Sequence, residues 1–225
     1  MLLMPIVPHI TIGPAGTVVA TDSDAQAGSP GTSYTFSSQS LGSAAPTRLV
    51  AVGVCSEDNA GPDATVTALT IAGISASSVA VLNNGTEQAS LWVAAVPSGT
   101  TSNIVITFAN AAYAVGICIW ALYGASATAT DSGGDTDSNP ATYALDTNTG
   151  GVAVAFGVHR SNTDATFIWS NLTEDFDQVV DTGDITMSGA SAAFVNGQTD
   201  LAISLTSSQS GVRNPVMVVA SFPPL

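Results

Sequence analysis

The stretch GVAVAFGV, residues 151–158, carries no polar side chain and follows the turn-forming Asn148-Thr149-Gly150-Gly151. Eight apolar residues between breaks are too few for a buried helix but suit a strand covered on both faces. Three other runs read the same way: LVAVGV at 49–54, VGICIWAL at 115–122 and VMVVASF at 216–222. These four are the expected central strands. NIVITF at 103–108 alternates instead, as a strand with one wet face does. No window of helical length has an apolar stripe of period 3.6, and Thr, Val, Ile and Ser are plentiful where Lys and Glu are scarce.

Turn chemistry recurs at short intervals. Asn84-Gly85 and Asn196-Gly197 each lie between strand-like runs and predict hairpins. Pro97-Ser98-Gly99-Thr100 and Thr182-Gly183-Asp184 mark further connections. Many short strands joined by tight turns predict an all-β fold, an antiparallel β-sandwich of jelly-roll type. Residues 1–30 carry Pro5, Pro8, Pro14 and Pro30 and read as an extended N-terminal arm, with a strand available at ITI or TVVA. Residues 31–225 make up the sandwich domain. An apolar arm needs a surface to lie on, its own sandwich or a neighbouring subunit, so Ile6, Val7, Ile10 and Ile12 are candidate assembly contacts.

Charge narrows the function. The 225 residues hold 17 acidic and 3 basic side chains, a formal net charge of −14, and charged residues are 9% of the chain. Ordinary globular domains carry roughly 25%. With Arg48, Arg160 and Arg213 as the whole basic complement, neither a phosphate backbone nor an anionic membrane surface is an expected partner. The N-terminus lacks the basic start of a signal peptide, and the longest apolar run, residues 112–124, has strand length, so synthesis in a reducing cytoplasm is expected. Cys55 and Cys118 sit inside apolar runs; buried free thiols are the expectation and a core disulfide the alternative.

Candidate chemistry is sparse. DSGGDTDSN at 131–139 offers Asp131, Asp135, Asp137 and Asn139 as oxygen ligands for calcium, but it lacks the EF-hand spacing, and a solvated loop is the simpler reading. Glu174, Asp175, Asp177 and Asp181 could pair for glycoside hydrolysis, but nothing in the sequence shows such a pairing, and alternation around Phe176 reads as a strand with acids facing water. Glu57 and Asp58 read as solvated loop acids, and His159 as a polar strand-end residue. Trp92 and Trp120 read as core, whereas Trp169 is the candidate exposed aromatic for ligand contact. No GxSxG, GxGxxG or GxxxxGK[ST] occurs, so neither an enzyme nor a cofactor is expected.

Taken in order, APTRLVAVGV, AVPSGTTSNIVITF, YAVGICIWALYG, GGVAVAFGV and LTEDFD resemble Gly/Ala/Ser/Thr-rich β-sandwich proteins encoded among the virion genes of tailed bacteriophages. The likeness spans roughly residues 40–222 and rests on strand pattern and turn wording. It implies a non-enzymatic virion component made in the host cytoplasm: a capsid decoration (cement) protein, or a glycan- or receptor-binding module of a head fibre or tail. The implied partners are the major capsid protein or other virion proteins and further copies of itself, with a trimer as the expected oligomer.

Overall fold

The computed structural model describes residues 15–57, 64–85, 87–209 and 213–225. Ile6, Val7, Ile10 and Ile12 lie outside the described residues. The strands are β1 (Thr17–Ser40), β2 (Leu49–Glu57), β3 (Val66–Ile71), β4 (Ile74–Ser75), β5 (Ser77–Asn83), β6 (Glu87–Ala95), β7 (Thr101–Tyr123), β8 (Asp131–Asp135), β9 (Ala141–Thr147), β10 (Val152–Arg160), β11 (Phe167–Ser170), β12 (Thr173–Asp181), β13 (Ile185–Ala193), β14 (Gln198–Ser207) and β15 (Val216–Phe222). Every pairing between them is antiparallel, and there is no helix among the described residues.

Three sheets form: β4-β3-β7-β2-β6-β5 with β1 on the other side of β7, then β12-β13-β10-β15-β8, then β11-β14-β9. The first folds back on itself. β7 pairs with β3 through residues 104–108 and with β2 through residues 114–122, while β1 follows it along both halves. Register shifts on either side of Gly31 mark the bend in β1, as bulges do where a sheet must turn. Tyr34, Phe36, Leu69, Ile104 and Ile106 from the far half thus pack on Val50, Val52, Val54, Ile117 and Ile119 of the near half.

The result is the expected antiparallel sandwich with a further layer on each side. Layer 1 is β3, β4 and the far halves of β1 and β7. Layer 2 is β2, β5, β6 and the near halves of β1 and β7. The second and third sheets are layers 3 and 4. One core lies between each successive pair. Layers 2 and 3 are therefore covered on both faces, and β2, β10 and β15 have scarcely an exposed residue. This is why their sequences run apolar without alternation, a pattern more familiar from parallel sheets.

Close stacking needs gaps for the largest side chains, and glycines supply them. A Cβ on Gly53 of layer 2 would stand 2.5 Å from the ring of Phe156 in layer 3. One on Gly189 of layer 3 would stand 2.6 Å from the Trp120 ring in layer 2. Gly116 faces Met187 across the same core, and Gly157 faces Leu205 of layer 4. Each buried aromatic contributes about 2–3 kcal/mol of burial only if the facing strand leaves it room.

One expected hairpin forms and the other does not. Asn84-Gly85 joins the paired strands β5 and β6, with Gly85 at φ 113°. Asn196-Gly197 is no hairpin: β13 belongs to layer 3 and β14 to layer 4. Gly197 and Gln198 donate their amides to the hydroxyls of Thr149 and Thr147, so the turn is held by the parallel crossing from β9 to β10. The residues of the expected arm from Thr17 onward run in β1 against β7.

Gly53→Ala is expected to cost about 1–3 kcal/mol through overpacking against Phe156. Gly31→Ala, whose Cβ meets nothing nearer than 3.6 Å, is expected to stay within about 0.5 kcal/mol. Urea unfolding of both variants checks the pair, and equal effects would contradict the interlock.

Candidate functional site

Ionisable groups gather at one end of the stack, where β2, β5, β8 and β10 finish and β6, β13 and β15 begin. Glu57 ends β2 and Glu87 begins β6, and antiparallel register sets them directly opposite one another. Both are 0% exposed. Like charges in that relation repel. Arg160, the last residue of β10, brings Nη1 to 3.0 Å from Glu57 Oε1, and its Nε donates to Asp184 Oδ1 at 2.8 Å. One guanidinium thus lies among three carboxyls. Glu57 Oε2 and Glu87 Oε1 are buried and accept no hydrogen bond from the described residues.

Burial and then the charge of Asp184 push the Glu57 carboxyl up to about 7, against the pull of Arg160. Burial pushes Glu87 up to about 7 as well, although the Asn84 amide favours its ionised form. The reading of Glu57 as a solvated loop acid is corrected: the strand runs through it into the interior.

His159 is buried beside this cluster. Its Nε2 lies 2.8 Å from the Arg213 carbonyl and its Nδ1 2.6 Å from Ser207 Oγ. A carbonyl can only accept, so Nε2 carries the proton and the Ser207 hydroxyl donates to Nδ1. Burial lowers its pKa. The serine and histidine touch, but the second nitrogen is spent on a backbone carbonyl and not on a carboxylate, unlike a nucleophilic triad.

Above the buried acids an open cavity of about 360 Å³ is lined by Asn83, Asn84, Thr136, Asp137, Arg213 and Asn214. Asn84 Nδ2 donates to the Asn214 carbonyl at 2.9 Å, and Arg213 Nη1 donates to the Asn84 carbonyl. The Asn84 Oδ1 is buried without a partner among the described residues. Hydroxyl, amide, carboxylate and guanidinium groups border the cavity, a lining suited to a small polar ligand.

The 131–139 stretch does not converge on an ion. Residues 131–135 are the edge strand β8 and not a loop, because Gly133 and Gly134 let it lie against the Tyr143 ring and the Met217 backbone. Asp131 accepts from the Tyr143 hydroxyl and the Asp146 amide. Asp135 accepts from the Asp137 and Thr142 amides and the Ser138 hydroxyl. Burial raises the Asp135 pKa, but those hydrogen bonds outweigh it and the net shift is downward. Asn139 exchanges hydrogen bonds with the Ser207 backbone. Among the described residues no group of three or more His, Cys, Asp or Glu is placed to hold a metal.

Other candidates separate too. Trp169 is not exposed: it is 8% accessible, packed in the core between layers 3 and 4, and donates its indole N–H to Ser188 Oγ at 2.8 Å. Alternation in FIWS turns it inward and sends Ile168 out. On edge strand β12, Asp175 accepts from the Trp120 indole toward layer 2, whereas Asp177 accepts from the Phe167 amide toward layer 4. A register shift between Glu174 and Phe176 helps to splay them. Cys55 and Cys118 are free and buried. Burial pushes the Cys55 thiol up to about 12 and raises Cys118 as well. No family model, curated protein or solved structure matches the chain.

The acid pair makes a signed prediction. Carboxyls held near 7 when folded and near 4.5 when free keep more protons in the folded state between those values. Their stabilising contribution is therefore complete below about 4.5 and lost as pH rises through about 7, on the order of 3 kcal/mol or more for the two carboxyls together. His159 works in the opposite sense below its free pKa, so the comparison must be differential. Relative to Glu57→Gln/Glu87→Gln, the unsubstituted protein is expected to lose about that much between pH 5 and pH 8 in urea titrations. Parallel profiles would contradict the buried pair.

Proposed function

We propose that the chain is a non-enzymatic structural component of a tailed-phage virion, most directly a decoration (cement) protein on the outer surface of the capsid, acting as a homo-oligomer with the major capsid protein as its partner. The observation that carries this reading is the stack itself. Two sheets covered on both faces make a dense block, and rigidity of that kind suits a lattice component. A net charge of −14 supports the outer surface, since packaged nucleic acid repels it. The resemblance of residues 40–222 to virion β-sandwich proteins points the same way.

The test is the copy number of the protein in purified virions of its phage, measured by quantitative mass spectrometry against the major capsid protein. A ratio matching the capsid lattice is expected. Complete absence from the particle would overturn the reading.

A few copies per particle would favour the second reading, a glycan- or receptor-binding module of a fibre or tail. The cavity bordered by Thr136, Asp137 and Arg213 supports it, being lined with groups that bond sugar hydroxyls. Under that reading a glycan array gives a signal that Asp137→Ala abolishes; a blank array would end it.

A further inference from the structure

The charges of this chain are unevenly placed. No Asp, Glu, Lys or Arg occurs at residues 25–47, 64–86 or 88–130. Layer 1 is drawn entirely from those stretches. Strand alternation turns Tyr34, Phe36, Leu69, Ile104 and Ile106 inward, and register lines up what faces out. Thr35, Val105 and Thr70 form one row across β1, β7 and β3, and Ser33, Thr107 and Ala68 form the next. The face is uncharged and composed of short side chains that lose little entropy when covered.

The remaining surfaces carry acids. Glu174, Asp175, Asp177 and Asp181 line the β12 edge, Asp146 and Asp200 lie on layer 4, and Asp135, Asp137 and Asp184 surround the cavity end. The free edge of layer 1 is closed to strand addition by β1 itself. Gln26 donates to the Thr35 carbonyl, Asp22 accepts the Ser40 amide, and Asp24 accepts from the Gln39 side chain. Among the described residues nothing covers the face, and the edge beside it is guarded.

We propose that the uncharged outer face of layer 1 is the surface on which a second copy of this chain docks. Charge selects the occupant. A basic partner gains most on the acidic surfaces and nothing here. A second copy at −14 is repelled by those surfaces and meets no opposing charge on this one. From strand spacings of about 4.8 Å and a rise of about 3.3 Å per residue, the face measures on the order of 500 Å². Two such faces give roughly 1,000 Å² in all, the lower limit for a specific interface, so the association is reversible and concentration-dependent. The assignment rests on the reading of a self-associating particle component and names its contact.

Sedimentation equilibrium of the full chain over a wide concentration range tests it, with Thr35→Asp/Thr107→Asp as the variant. Unsubstituted protein is expected to associate beyond the 22.4 kDa monomer, more strongly as added salt screens the repulsion between the two acidic copies. The variant is expected to associate at least tenfold more weakly while unfolding at the same urea midpoint at concentrations where both proteins are monomeric. Should the variant lose stability, Thr35→Asn/Thr107→Asn serves instead as an uncharged control that keeps the association. A protein that stays monomeric, or an oligomer indifferent to both new carboxylates, overturns the proposal. Monomers that nonetheless decorate particles would remove this face and leave the virion reading standing.

Discussion

Burying a β-sheet on both faces is the constraint on which the rest of this molecule depends. The central strands of layers 2 and 3 have no wet side, so over most of their length they carry neither the charge nor the alternation that mark an ordinary sandwich. Residues 152–158 and 216–222 are written in Val, Ala, Gly, Met and Phe, with Ser221 as the one polar side chain, for that reason. Ala, Val, Leu and Ile fill most of the gap between the two layers, and the largest rings, Phe156 and Trp120, each need a glycine opposite. Phe156 over Gly53 and Trp120 over Gly189 fix how near the two sheets come. The low charged fraction of the chain follows directly: polar and charged residues have only the outer layers, edges and ends to occupy.

The ends of buried strands are where this arrangement becomes costly. At one end, Arg48 donates to the carbonyls of Val96, Gly42, Ser98 and Gly99, closing loops that would otherwise leave acceptors unpaired. At the other, Glu57, Glu87 and His159 are carried inside by strands that continue past the point where polarity begins, with Arg160 half-buried beside them. The buried acids tie the stability of that end to pH, and the polar cavity sits over them. A rigid middle, an acidic periphery and one uncharged outer face are what a particle component needs, and each derives from the same stacking.

Strand identity and the all-β class were legible because runs such as GVAVAFGV and VGICIWAL have few other readings. The Asn84-Gly85 hairpin was legible because its chemistry is local. Asn196-Gly197 uses the same two residues to cross between layers, since the partners of the following strand lie some fifty residues earlier, at Ala141–Thr147. Distance along the chain likewise hid the acid pair. Glu57 and Glu87 belong to strands that pair across an intervening excursion through β3, β4 and β5, and no local pattern announces their meeting. DSGGD looked like a loop because its glycines read as turn residues; here they let an edge strand approach a tyrosine ring. Trp169 looked exposed among polar neighbours, but strict alternation in a four-residue strand decides its direction, and a fourth layer receives it.

The most direct measurement of a stack buried from both sides is native-state hydrogen exchange resolved by strand. Amides of β2, β10, β13, β15 and the 114–122 half of β7 are expected to exchange only through global unfolding, with β9, β11 and β14 opening at lower free energy. Protection in β10 and β15 no greater than in β9 and β14 would contradict the doubly covered middle sheets, and with them the rigid block on which the proposed function rests.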